Sequence, residues 1–126
     1  MSDDALLTWM DALVAYAKDW DETFCKKEYF TQEYWYLFVG CYRAHLRDQP
    51  LTMSQAQGEM KTGAPNTRSD RIQNAIDDGY LERRINEFDN RSVVVVPTAK
   101  LTKLLTGHFS RTRLIAIRAL CSKSQD

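Results

Sequence analysis

Gly79-Tyr80-Leu81-Glu82-Arg83-Arg84-Ile85, followed by Asp89-Asn90-Arg91-Ser92-Val93-Val94-Val95-Val96-Pro97-Thr98, is the stretch whose reading decides the fold. Four consecutive valines favour a strand, because β-branched side chains are stiff and pack well on a pleated surface. Tyr80–Ile85 supplies a facing strand, and the segment from Asn86 to Arg91 is made of turn formers and charges. The two runs therefore predict a β-hairpin with a charged tip, strands Tyr80–Ile85 and Ser92–Val96. Gly79 is placed to end a helix, and Thr98 is placed to cap the next one. A hairpin set between helices in this way is a wing.

Upstream, Thr52-Met53-Ser54-Gln55 has the Thr-x-x-Gln spacing of a capping box, in which each side chain satisfies the other residue's backbone N–H. The helix it opens buries Ala56 and Met60 and should fail near Thr62-Gly63. Gly58 inside it is unfavourable by up to about 1 kcal/mol against Ala, and close packing is the one reason the sequence offers for it. Pro65 suits the first turn of a second helix, where its missing N–H costs nothing. That helix should run from about Pro65 to Asp78, with Ile72, Ala75 and Ile76 inward and Asn66, Thr67, Arg68, Ser69, Arg71 and Asn74 outward. Two short helices joined across a glycine form a helix-turn-helix. The outward residues are of the types that hydrogen-bond base edges and phosphates in a major groove. A solvated helix face has a similar composition, so the following hairpin gives this reading its weight.

The flanks read as helices. Leu6, Met10, Leu13, Ala17, Trp20 and Phe24 repeat at alternating spacings of four and three in a helix from about Asp4 to Trp20. The stripe suits packing along a helix of a second subunit or an ordinary amphipathic helix within one domain. Aromatics crowd the first third of the chain, where they could form core, dimer interface or a small-molecule pocket. Thr31–Arg47 reads as a second helix with Thr31 as N-cap, Trp35, Phe38, Tyr42 and Leu46 at helical spacing, and Pro50 as its stop. His45 near its end is a capping or packing residue rather than a ligand. The last helix carries Leu101, Leu104, Leu105, His108, Leu114, Ile115 and Leu120. Its face of Lys100, Lys103, Arg111, Arg113 and Arg118 is either solvated or an additional phosphate contact.

At 126 residues the chain is expected to form one domain, large enough to bury a core. Within it, 1–50 would be N-terminal helices for packing or dimerisation, 51–97 the winged helix-turn-helix, and 98–126 the C-terminal helix. Net charge is zero, which alone is unlike a DNA-binding protein. The charge is segregated, however: residues 1–50 carry nine acids and five bases, and residues 51–126 carry eight acids and twelve bases. A neutral chain of that kind can still present a basic face. No apolar run approaches the roughly 20 residues of a membrane span, and the start Ser2-Asp3-Asp4 is unlike a signal peptide, so a cytoplasmic location with no membrane partner is expected. Cys25, Cys41 and Cys121 are too few and too widely spaced for a disulfide framework or a zinc site, and no cofactor or metal is expected. They pack as small hydrophobes unless a lowered pKa makes one a redox sensor, for which Lys26 and Lys27 beside Cys25 are a weak hint.

In sum the expected fold is mainly α with a small β-hairpin wing (α+β), a winged helix-turn-helix with flanking N- and C-terminal helices. From Leu51 to about Leu105 the string Leu-Thr-x-x-Gln, Gly-Tyr-Leu-Glu-Arg-Arg, Asp-x-Arg-Ser, Val-rich strand and Pro-Thr resembles the MarR-type winged-helix transcription regulators. The resemblance implies a homodimer formed by N- and C-terminal helices, with each subunit reading half of a palindrome in double-stranded DNA. It makes the helix from Pro65 the recognition helix, with Asn66, Thr67, Arg68, Ser69 and Arg71 as readers and Ser54, Asn74 and Arg84 as further contacts. It makes Arg91 the wing arginine, reaching the minor groove or its phosphates, and Asp89 the acid that holds it. A narrow minor groove attracts Arg electrostatically. The chain departs from the family pattern at Asp70, where an Arg is usual, at Asp77 and Asp78, where bases are common, and at Gln57, where a small apolar residue is usual.

A sequence-specific DNA-binding regulator is the leading expectation. A winged-helix module that binds protein instead is the alternative favoured by Asp70, Asp77, Asp78 and the zero net charge. Ligand or redox sensing is compatible with DNA binding, and would add a small-molecule effector as a partner. No Ser/His/Asp grouping, glycine-rich phosphate loop or H-E-x-x-H motif supports an enzyme.

Overall fold

The computed structural model describes residues 1–87, 89 and 91–121. Phe88 and Asn90 of the expected wing tip lie outside the described residues. In chain order the elements are α1 (Asp3–Thr23), a 3-10 turn (Lys27–Tyr29), α2 (Gln32–Leu46), β1 (Leu51–Thr52), α3 (Met53–Glu59), α4 (Pro65–Asp77), β2 (Leu81–Ile85), β3 (Val93–Pro97) and α5 (Ala99–Leu120). They divide into two compact units, one built from Met1–Phe30 and the chain from Leu104 onward, the other from Thr31–Lys103. α2 falls in the same unit as the strands, α3 and α4. Among the described residues no helix is long and apolar enough to cross a membrane.

In the unit Thr31–Lys103 the three strands lie in the order β1-β3-β2, all antiparallel. The sheet therefore has one strand more than the expected hairpin. Thr52, read from sequence as a helix cap, also pairs with Val94, and Leu51 before it pairs with Val95. Two residues are too short for alternation to betray a strand. The valine run follows from its central position: Val94, Val95 and Val96 are all buried, so both faces of β3 are covered and alternation is lost. By contrast β2 is an edge, buried only at Leu81, and its Glu82, Arg83 and Arg84 discourage pairing with another chain.

The helix ends follow local chemistry. Thr31 accepts the N–H of Tyr34, and Thr52 and Gln55 complete the capping box of α3. At the end of α4, Gly79 adopts φ 81° while its N–H bonds Ile76 and that of Tyr80 bonds Ala75, which closes the helix with a left-handed residue. The same motif ends α2, with Asp48 at φ 57° and the N–H groups of Asp48 and Gln49 on His45 and Ala44. Pro50 lies beyond that stop and is not its cause. The expected apolar face of α2 is also rotated. Tyr34, Leu37, Phe38, Cys41 and Ala44 are buried, Trp35 and Tyr42 are half-buried, and Leu46 is exposed. Phe38 meets Tyr80 at a ring separation of 5.6 Å, joining α2 to the start of the hairpin.

In the other unit, Trp20 donates its indole N–H to Tyr29 O at 2.9 Å and packs on Phe24. These aromatics are core, which settles one of the open readings for them. A polar group sits among them. His108 is fully buried, between the rings of Tyr16, Trp20 and Phe109. Its Nδ1 lies 2.8 Å from Asp19 Oδ1, and its Nε2 has no hydrogen-bond partner among the described residues. Asp19 also receives Arg111 through Nε at 2.7 Å and Nη2 at 3.0 Å. Arg111, read from sequence as part of the basic face, is thus tied to α1. The arginine bonds, and next those of His108, outweigh burial and hold the Asp19 carboxyl at about 2. Burial pushes the His108 pKa down, and the Asp19 contact opposes it without reversing it.

Two measurements check these arrangements. A Cβ built on Gly58 would meet nothing within 4 Å, so close packing among the described residues does not explain this glycine. Gly58→Ala should raise stability by a few tenths to about 1 kcal/mol in urea unfolding, and a loss of stability would contradict the open geometry. The depressed His108 pKa means stability is complete above the ordinary histidine value of about 6.5 and erodes as pH falls through it. The depressed Asp19 pKa adds a second loss between the ordinary carboxylate range and about 2. Thermal melts from about pH 8 to about pH 2, which bracket both losses, should show the upper limb in the wild type and its flattening in His108→Gln.

Candidate nucleic-acid interface

The turn between α3 and α4 determines what α4 presents. Gly63 has φ 108°, a left-handed conformation that glycine adopts without strain. Two arginines close on the carbonyls around it. Arg68 donates Nε to Gly63 O at 2.8 Å and Nη1 to Gln57 O at 3.2 Å. Arg71 donates Nη1 to Thr62 O at 2.6 Å. From α2, Glu33 reaches the same turn, its carboxylate accepting the Lys61 N–H at 2.7 Å and the Thr62 hydroxyl at 2.9 Å. Burial opposes the charge on Glu33, but the bonds from Thr62 and Lys61 and the nearby Arg71 outweigh it and lower its pKa. Gln57, the departure from a small apolar residue, donates to Ser69 Oγ at 3.2 Å and so links α3 to α4.

The expected reader residues therefore separate. Asn66, Thr67, Ser69 and Asn74 are exposed along α4, and Ser54 is exposed in the first turn of α3. Arg68 and Arg71 are only half-exposed, because each is bound into the turn. The α4 N-terminus has Pro65 in its first turn and no side-chain cap from Ala64, which leaves its positive end open. Asp70 is exposed beside Ser69, whereas Asp77 accepts from Gln73 Nε2 at 2.8 Å. Gln73 in turn accepts from Arg83 Nη2 at 2.8 Å, which ties α4 to β2.

The hairpin tip is closed by backbone bonds from Asn86 N to Ser92 O and from Ser92 N to Asp89 O. Asp89 Oδ1 accepts the Arg91 N–H at 3.0 Å and lies 3.5 Å from Arg91 Nε. The Arg91 side chain is 94% exposed, so Asp89 orients the guanidinium while leaving its face in solvent. Arg84 on β2 is exposed and pairs with Glu82. At the end of the hairpin the Thr98 hydroxyl donates to Gly79 O at 2.6 Å and accepts the Leu101 N–H, which joins the end of α4 to the start of α5. Lys100 donates to Asp78 O at 3.0 Å and lies over the Tyr80 ring.

Sequence reasoning missed Glu33, Gln73 and the Asp19–His108–Arg111 cluster. Each depends on a contact between distant segments that no local spacing announces. Cys41 is buried, and burial pushes its thiol up to about 12, which opposes a redox role for that residue. Among the described residues no three His, Cys, Asp or Glu side chains gather to hold a metal ion.

No family model and no curated protein matches the chain. Solved structures do. A protein of Bacillus cereus ATCC 10987 described as a MarR-like transcription regulator superposes with a TM-score of 0.54 at 17% identity, over 92% of this chain and 80% of its own. A MarR transcriptional regulator of Methanosarcina mazei Go1 gives a TM-score of 0.53 at 20% identity, over 95% of this chain and 78% of its own. At these identities the likeness is one of fold: the chain has the winged-helix fold of MarR-like regulators.

Proposed function

We propose that this chain is a DNA-binding transcription regulator that reads double-stranded DNA as a homodimer. The observation that carries the reading is Arg91, held at the tip of the hairpin by Asp89 and otherwise exposed. A guanidinium aimed off a fixed tip is a ready ligand for phosphate or for the negative potential of a narrow minor groove. The uncapped start of α4 supports the same reading, since a helix N-terminus attracts phosphate and Asn66, Thr67 and Ser69 stand exposed beside it. In this reading α4 enters the major groove, the wing lies on the flanking minor groove, and Ser54, Asn74 and Arg84 are peripheral contacts. The neighbours' description as transcription regulators agrees with it.

Dimerisation draws its support from the unit of α1 and the later part of α5. Leu6, Leu7, Met10, Leu13 and Val14 on α1, and Leu114, Ile117 and Leu120 on α5, are exposed. An apolar groove of about 390 Å³ lies in the same unit, lined by Trp9, Leu13, Tyr16, Phe109, Thr112 and Ala116 among others. Exposed apolar surface of this extent marks an interaction site.

Two experiments test the proposal. Arg91→Ala should weaken binding to a sequence selected from a random pool and reduce the slope of log K against log salt by about one; an unchanged affinity and slope would remove the wing from the interface. Sedimentation should show a dimer for the wild type at micromolar concentration, a scale of about that order being usual for specific interfaces, and a monomer for Leu13→Asp. A wild-type monomer would refute the dimer.

A further inference from the structure

We infer that Glu33 and Arg71 are positioning residues of the helix-turn-helix: they set the turn that aims α4 and do not themselves contact DNA. The inference rests on the DNA-binding reading above and deepens it by removing Arg71 from the set of readers.

Glu33 stands in the first turn of α2, one element away from the helix pair it holds. Only 14% of its side chain is exposed, yet it carries a charge there. That charge is satisfied by the Lys61 N–H and the Thr62 hydroxyl, on opposite oxygens of one carboxylate. Both donors belong to the turn between α3 and α4. A carboxylate shielded to this extent is held in place by such bonds, because leaving any of them unmade carries part of a desolvation penalty. Arg71 completes the arrangement. Its Nη1 donates to Thr62 O and lies 4.0 Å from Glu33 Oε2. The Tyr34 hydroxyl donates to Arg71 O at 3.2 Å, so the backbone of α4 is also tied to α2 at this residue. A Cβ on Gly63 would come within 2.9 Å of Arg71 Nη1, which shows how closely the guanidinium fits the turn.

The consequence is a division of labour among basic residues. An arginine that neutralises a phosphate releases counterions and contributes to the salt dependence of binding. One that only holds a turn contributes to affinity through geometry and leaves that dependence unchanged. Specific binding requires α4 at a defined angle and depth, whereas non-specific binding tolerates error because it rests on phosphate charge alone. Loss of Glu33 or Arg71 should therefore damage specific binding selectively.

The test uses the full chain, a selected duplex, a random duplex and the variants Glu33→Ala, Glu33→Gln and Arg71→Ala, with Arg91→Ala as the phosphate-contact control. Glu33→Ala and Arg71→Ala should each lose about tenfold or more in specific affinity, with non-specific affinity and salt slope unchanged, while Arg91→Ala lowers the slope by about one. Glu33→Gln should recover part of the loss, because its amide oxygen can still accept one of the two bonds. Hydrogen exchange on the DNA-free protein gives an independent readout: the Lys61 amide should be protected in the wild type, less so in Glu33→Gln and least in Glu33→Ala. A salt slope lowered by about one in Arg71→Ala would make it a phosphate contact and overturn the inference. So would unchanged specific affinity in Glu33→Ala, or Lys61 exchange that ignores the substitutions. If the wild type binds neither duplex, the DNA-binding reading fails by itself, and the exchange of Lys61 still decides whether Glu33 holds the turn. Should Glu33→Ala not fold, Glu33→Gln carries both readouts.

Discussion

Burial of β3 on both faces is the constraint from which the winged unit is organised. Val94, Val95 and Val96 are all enclosed, and every partner on either side must meet them in one register. A slip of one residue would turn the side chains of a neighbouring strand to the opposite face. On β2 such a slip would carry buried Leu81 outward and a charged neighbour inward. The register fixes where the hairpin turns, and the turn fixes Asp89 and Arg91. The Arg91 side chain, almost entirely exposed, thus owes its placement to three buried valines. At the other end of the strand, Thr98 binds Gly79 O and Tyr80 O, so the stem of the hairpin is closed on the helix before it.

The helix-turn-helix is held differently, by polar bonds over a small apolar core. Ala56, Met60, Ile72 and Ala75 are fully buried but small or few, and α3 is only 7 residues long. Isolated helices of that length are not stable in water, so tertiary contacts must supply the order. Glu33, Arg68, Arg71 and Gln57 provide them at the turn, and Gln73 with Arg83 provides them toward the sheet. Most of these groups are at or near the surface, where hydrogen bonds contribute less than in a dry core. A surface that is to meet DNA, as proposed, must nevertheless stay polar. Order at the turn is therefore obtained from directed bonds rather than from more apolar burial.

What the sequence made legible and what it hid follow the range of the interactions. The capping box at Thr52 and Gln55, Pro65 at the start of α4, Gly79 at its end and the valine strand are local signals, and each stands where its chemistry predicts. β1 was hidden because two residues carry no period; the end of α2 near Arg47 was legible, but its cause, the left-handed Asp48, was hidden behind the stronger and later signal of Pro50. The composition of α4 named Arg68 and Arg71 as readers because arginine is the commonest base-reading residue. Composition does not show that the carbonyls of Thr62, Gly63 and Gln57 lie within their reach. Asn66, Thr67, Asp89 and Arg91 stand where the sequence pattern put them, on the start of α4 and at the hairpin tip; their contact with DNA is the proposal made from that placement.

The apolar stripe of α1 shows how one periodicity can carry two constraints. Its later members, Trp20 and Phe24, are buried within their unit, whereas Leu6, Met10 and Leu13 are exposed. Ala5 and Ala12, which the stripe omitted, are buried in their place. Small residues let neighbouring groups approach closely, and they leave the larger leucines free on another face of the helix. Near the Trp20 end, Asp19 binds His108 and Arg111. A charged contact of this kind fixes orientation more than it adds stability, because desolvation offsets much of its attraction. Apolar packing alone would tolerate rotation of a helix whose stripe is apolar on two faces. The Asp19 bonds favour one rotation, the one in which Ala5, Ala12 and Trp20 are buried and Leu6, Met10 and Leu13 are exposed.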